Sequence, residues 1–191
     1  MLELSEFSLR PVGRDDAARL LEWRNDERVR ANMYSDHFIS PDEHARWFAG
    51  MLENPRSDYR IGEHSGRPIG LVAFTDIDAA SRRASWAFYL GERDVPAGSG
   101  AALEFLALEH AFGARQLRKL CCEVLAFNTR VVKLHQRFGF RQEGLLAAHR
   151  LKNGKFEDVV LLAMFDADWP PARERLRRTF FGAQAGSEEA C

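Results

Sequence analysis

A period of two in the apolar positions marks the strands of this chain. Phe7 and Leu9 alternate with Ser8 and Arg10 in a short first strand that Pro11 helps to end. Tyr59 and Ile61, then residues 68–74, read as two strands joined by a turn at His64-Ser65-Gly66-Arg67. Residues 84–90 (Ala-Ser-Trp-Ala-Phe-Tyr-Leu) form an apolar, aromatic strand, and residues 119–125 set Leu120, Cys122 and Val124 against Cys121 and Glu123. Residues 144–150 and 156–165, either side of Asn153-Gly154, read as a closing hairpin.

A spacing of three and four marks the helices. Asp15 and Asp16 precede one that carries Ala17, Leu20, Leu21 and Arg24 on one side and ends near residues 22–26, before an irregular polar stretch with Met33, Tyr34 and Phe38. Ser40-Pro41-Asp42-Glu43 is a helix start: a capping serine, proline at the first position, and glutamate three residues after the cap. His44, Trp47, Phe48 and Met51 follow as one aromatic face. A third helix carries Leu103, Leu106, Ala107, His110 and Ala111. A fourth opens at Asn128, turns Val131, Val132, Leu134, His135 and Phe138 inward, and closes at Gly139. Strands grouped first, with helices interleaved later, predict an α+β fold: a mixed, mostly antiparallel sheet of about seven strands flanked by about four helices. Residues 1–170 are read as one domain, and 171–191 as an extension with a short helix followed by a disordered tail.

Composition narrows the function. At 191 residues with 27 basic and 28 acidic side chains, the chain has no bulk attraction for nucleic acid or membrane. No apolar stretch is long enough to span a bilayer, and Glu3 and Glu6 are out of place in a signal peptide, so a cytoplasmic protein is expected. Cys121, Cys122 and Cys191 are an odd number, two of them adjacent in a strand; they read as small core residues rather than as a disulfide framework, a zinc site or a nucleophile. No metal site is expected.

The chemistry gathers at residues 95–103, where Gly98-Ser99-Gly100 lies between a strand and a helix. Glycines there permit positive φ and close approach, and the first helical turn offers unpaired N–H groups to an anion. The stretch lacks the Gly-Lys-Ser/Thr of a Walker loop and the third glycine of a dinucleotide fingerprint.

Ala97-Gly98-Ser99-Gly100-Ala101-Ala102-Leu103 and, one strand later, Asn128 through Leu134-His135-Gln136-Arg137-Phe138-Gly139-Phe140 resemble in order the two signatures of the GCN5-related N-acetyltransferases. The resemblance runs from about Phe7 to Trp169. It implies acetyl-CoA as co-substrate: pyrophosphate on the turn formed by Val95, Ala97, Gly98, Ser99, Gly100 and Ala101, pantetheine along Tyr89 and Leu90, and Asn128 near the thioester. Ala97 stands where the family has Arg or Gln, and His135 where it has Tyr. Residues 144–158 and Asp168-Trp169 are similar to the branch holding ribosomal-protein Nα-acetyltransferases and spermidine acetyltransferases. Trp23-Arg24-Asn25 and Glu43-His44-x-x-Trp47-Phe48 are similar to nucleotide-sugar N-acetyltransferases of pseudaminic acid biosynthesis.

The resemblance therefore implies acetylation of the 4-amino group of a UDP-linked 4-amino-4,6-dideoxy sugar by direct attack on the thioester. A protein N-terminus or a polyamine is the alternative acceptor, and a non-catalytic CoA-binding module the second alternative. An amine largely protonated at pH 7 needs a base, for which Glu123 is expected, acting through water. The departing thiolate needs an acid, for which His135 is expected, with Tyr89 as a substitute donor. Arg24 would hold the diphosphate, while Met33, Trp47, Phe48 and Tyr89 flank the base or sugar; Asn25 and His44 cap or pack. The reading needs no nucleic acid, membrane or metal, and leaves room for a homodimer.

Overall fold

A computed structural model describes residues 2–181. Cys191 and the expected tail at 182–191 lie outside the described residues. The strands are β1 (Phe7–Pro11), β2 (Asp58–His64), β3 (Arg67–Asp78), β4 (Arg83–Leu90), β5 (Lys119–Leu125), β6 (Arg141–Lys152) and β7 (Lys155–Phe165). The helices are α1 (Ala17–Asn25), α2 (Glu27–Arg30), α3 (Pro41–Glu53), α4 (Ser99–Leu108), α5 (Thr129–Phe138) and α6 (Trp169–Leu176). The fold is α+β as expected, with a seven-stranded mixed sheet. Six α-helices replace the expected four: α2 is a single short turn inside the stretch read as irregular, and α6 begins at Trp169. Trp169 and Leu176 are buried and Trp169 packs edge-on to Phe105, so α6 belongs to the core rather than to an extension starting at 171.

Turn chemistry sets the sheet. Ser65-Gly66 and Asn153-Gly154 all have positive φ, the two-residue geometry that matches strand twist, and they join β2 to β3 and β6 to β7. The strand order is β1-β2-β3-β4-β5-β7-β6, antiparallel throughout except where β4 meets β5.

That parallel pair is short. Arg83, Ala84 and Ser85 pair with Lys119, Leu120 and Cys121, and beyond them the strands separate. Each continues on its outer edge: β4 against β3 as far as Leu90–Gly70, and β5 against β7 as far as Leu125–Val159. The inner edges of residues 86–90 and 122–125 therefore face a gap in the middle of the sheet.

The alternation of β3, β4 and β5 divides the core between two faces. Val72, Phe74, Trp86, Cys122 and Val124 pack with α4, α5 and α6. Leu71 joins Leu20, Trp23, Phe48, Met51 and Ile61 under α1 and α3, with Tyr89 at its margin. Close approach at the two glycines is tight. A Cβ on Gly62 would sit 2.5 Å from Leu103 beneath α4, and one on Gly91 would enter the Trp23 ring at 2.0 Å.

Candidate active site

The strand gap ends at the glycine turn. Gly98 caps α4 with φ +94°, a conformation that favours glycine, and a Cβ there would also meet Leu2 at 2.4 Å. Ser99 is consumed by the turn itself: its N–H and its hydroxyl both donate to the Pro96 carbonyl, at 3.1 and 2.7 Å. The Gly100 and Ala101 N–H groups have no backbone partner among the described residues, since Ala102 makes the first bond back to Gly98. These free donors, at the positive end of a ten-residue helix, suit a diphosphate. Ala97 is exposed and adds no charge, while Val95 and Leu90 pack at the edge of the core. Gly100 lies beside Phe88 and Leu90, linking the turn to the open edge of β4. An extended amide chain can pair with that edge as an added strand. Asn128 caps α5 at the far end of the gap, its carbonyl accepting from Val131 and Val132 and its side chain free of capping. The chain's own groups thus fit acetyl-CoA.

Glu123 and Tyr89 point away from α4. On β5, Cys122 and Val124 are buried among the helices while Glu123 is exposed on the opposite face. Its carboxylate accepts a hydrogen bond from Tyr34, which the sequence showed only as an aromatic in a polar stretch. Burial raises the Tyr34 pKa and the Glu123 contact raises it further, so the phenol stays protonated and donates. Arg150 lies over the Tyr34 ring at 4.1 Å. The loop carrying Tyr34 is clamped from several sides. Lys152, itself buried, donates to the Met33 carbonyl at 2.6 Å and pairs with Asp36 at 3.3 Å; Asn25 exchanges two hydrogen bonds with the Ile39 backbone. Met33 is thus held by its carbonyl.

Arg24 lies at the end of α1, where Nη2 donates to the Ser35 carbonyl and hydroxyl. Its Nη1 is buried with no hydrogen-bond partner among the described residues. Burial lowers the pKa of this guanidinium, and no carboxylate among the described residues bonds to it. Tyr89 is within its electrostatic reach; burial raises the Tyr89 pKa, and the phenol makes no hydrogen bond among the described residues.

Two expected substrate contacts fall elsewhere. Phe48 is buried in the core beneath α1 and α3. Trp47, 41% exposed, packs edge-on to Tyr59 in a separate cavity of about 440 Å³ lined by Arg46, Arg56 and Asp76. The reason is position along the helix. His44 anchors the inner face of α3 to the Ala17 carbonyl at 2.8 Å, at the end of α1 remote from Arg24, and Trp47 lies one turn further on. Burial drives the Cys122 thiol well above its ordinary range, leaving a neutral core residue.

On the α4 side of the gap lies His135, buried against Trp86, Phe88 and Phe140. Trp86 is the first β4 residue past the last β4–β5 pair. Glu104, which sequence reasoning passed over, is fully buried and bonds to His135 Nδ1 at 2.8 Å. The available signal was a lone acid in the otherwise apolar run of α4.

Comparison with known proteins agrees with this architecture. The acetyltransferase (GNAT) domain family matches residues 6–141, and the chain belongs to that family. Spermidine N(1)-acetyltransferase of Vibrio cholerae is 24% identical over 156 residues, covering 81% of this chain and 90% of that protein. The Escherichia coli K12 enzyme of the same name is 22% identical over 157 residues, covering 82% and 84%. The crystal structure of the Vibrio cholerae enzyme with CoA and spermine superposes with a TM-score of 0.81 at 22% identity, covering 86% of this chain and 98% of that one. The chain is an acetyl-CoA-dependent N-acetyltransferase. These relatives are polyamine enzymes, not the nucleotide-sugar enzymes that the N-terminal third resembles. Among the described residues no cluster of metal-ligating side chains occurs, and no helix is long and apolar enough to cross a membrane.

Proposed function

We propose that this enzyme acetylates a small primary amine of the polyamine class, with Glu123 as base and His135 as acid. The observation that carries the reading is Glu123: an exposed carboxylate, held by Tyr34, on the strand that borders the cofactor gap. A carboxylate there attracts an ammonium and takes its proton, directly or through water, so that the neutral nitrogen attacks the thioester carbonyl. His135, on the other side of the same gap, supplies a proton to the leaving sulfur. The polyamine class comes from the named relatives, which match along most of this chain.

One observation favours a second reading. Arg24, whose buried Nη1 has no hydrogen-bond partner among the described residues, suits an acceptor that carries an anionic group beside its amine, as the UDP-linked 4-amino sugar does. The test is thiol release from acetyl-CoA at pH 7.5 with spermidine, a ribosomal N-terminal peptide and the UDP-4-amino-4,6-dideoxy sugar as separate acceptors. Release with spermidine well above the other two is expected. Preferential release with the UDP-sugar, lost in Arg24→Ala, would overturn the polyamine assignment in favour of the second reading. Acetyl-CoA binding without release from any of the three would contradict both.

A further inference from the structure

A buried carboxylate without a cation is a poor choice in a helix core, where a leucine would pack as well. Glu104 nevertheless sits at 0% exposure among Ala101, Leu103, Phe105 and Leu108. Oε1 meets His135 Nδ1 at 2.8 Å, and Oε2 has no hydrogen-bond partner among the described residues. No other polar side chain among them hydrogen-bonds the imidazole, and the rings of Trp86, Phe88 and Phe140 pack against it. The ionisable groups at this spot are Glu104 from α4, His135 from α5 and Cys122 from β5; the cysteine thiol stays neutral.

We propose that Glu104 is a positioning residue for acetyl transfer: it fixes the proton on His135 Nδ1 and stabilises the imidazolium, leaving Nε2 as the donor at the gap between β4 and β5. A carboxylate on one ring nitrogen determines which tautomer and ring orientation the other nitrogen presents. The step balances. The amine nitrogen forms its bond to the carbonyl carbon, the carbon–sulfur bond breaks with its electron pair on sulfur, and His135 Nε2–H protonates that sulfur. Glu123 passes the ammonium's first proton to solvent before the attack and takes the second as the amide forms; solvent then resets both groups. Glu104 exchanges no proton with substrate. The inference rests on His135 as the acid.

The test compares Glu104→Gln, Glu104→Asp and His135→Ala with the parent enzyme. In the glutamine variant the side-chain amide oxygen can still accept from Nδ1 but carries no charge. In E104Q, kcat is expected to fall about 100-fold, the lower end of what acid–base catalysis contributes. KM for acetyl-CoA should change less than about twofold in the same variant, since acid–base loss leaves cofactor binding intact. The alkaline limb of the kcat profile should move to lower pH, and E104D should recover part of the rate. If H135A is impaired while E104Q keeps the parental kcat and pH profile, the pair is structural and the inference fails alone. If H135A keeps the parental kcat, the acid assignment fails with it. Nitrogen NMR of the parent protein provides a check that needs no variant. In the neutral ring the proton is expected on Nδ1, with Nε2 the nitrogen that responds to CoA; a neutral ring protonated on Nε2 instead of Nδ1, or no response at Nε2, overturns the proposal.

Discussion

Asp58 shows how one carboxylate ties the sheet to a helix. Burial disfavours its charge, but hydrogen bonds from His110 at 2.8 Å and Arg60 at 2.9 Å outweigh that and bring its pKa down to about 2. A depressed pKa contributes stability above the ordinary carboxylate value, and the contribution disappears as pH falls toward the folded value. Asp58→Asn should therefore cost about 2 kcal/mol at pH 7. In denaturant titrations at a series of pH values, the gap to the parent should close between about pH 4 and pH 2. Gly91 acts through space instead: Gly91→Ala drives a methyl into Trp23 and should cost about 1–3 kcal/mol of stability by thermal unfolding. At this scale the sequence was legible where chemistry follows a local pattern. Cys122 and Val124 point inward and Glu123 outward because a strand has period two. Glu104, and the pairing of Tyr34, escaped notice because the partners lie 31 and 89 residues away, and no local spacing announces such a pair.

Elements show the same division. The bounds of β5 and the glycine-closed end of α5 follow from alternation and from a C-terminal glycine, both short-range signals. The function of α3 does not. Its capping serine, proline and aromatic face mark a helix, but which side of that face meets a ligand depends on how α3 packs against α1, and the packing buries Phe48 and leaves Trp47 over a different cavity. The α4 terminus allows a direct check of the cofactor cradle. Gly98→Ala imposes a left-handed φ on a residue with a Cβ and crowds Leu2, a strain of about 1–3 kcal/mol. KM for acetyl-CoA is expected to rise about tenfold, as 1.4 kcal/mol of binding implies. KM for the amine acceptor should stay near the parental value, and an unchanged KM for acetyl-CoA would count against the cradle.

For the whole molecule, the central feature is a sheet whose two middle strands pair for three residues and then part, with a carboxylate on one face of the opening and an imidazole on the other. The strand order and the two glycine-bearing signatures made the family legible in the sequence. The acceptor was not legible, because the short N-terminal motifs that resemble sugar-nucleotide enzymes sit on a chain whose named relatives act on spermidine. The two-sided arrangement is tested most directly by kcat and by KM for acetyl-CoA in the parent, Glu123→Gln and His135→Ala enzymes, measured as thiol release. Each variant should lower kcat by about 100-fold, with KM for acetyl-CoA changed less than about twofold. A parental kcat in either variant would contradict a base on one face of the gap and an acid on the other.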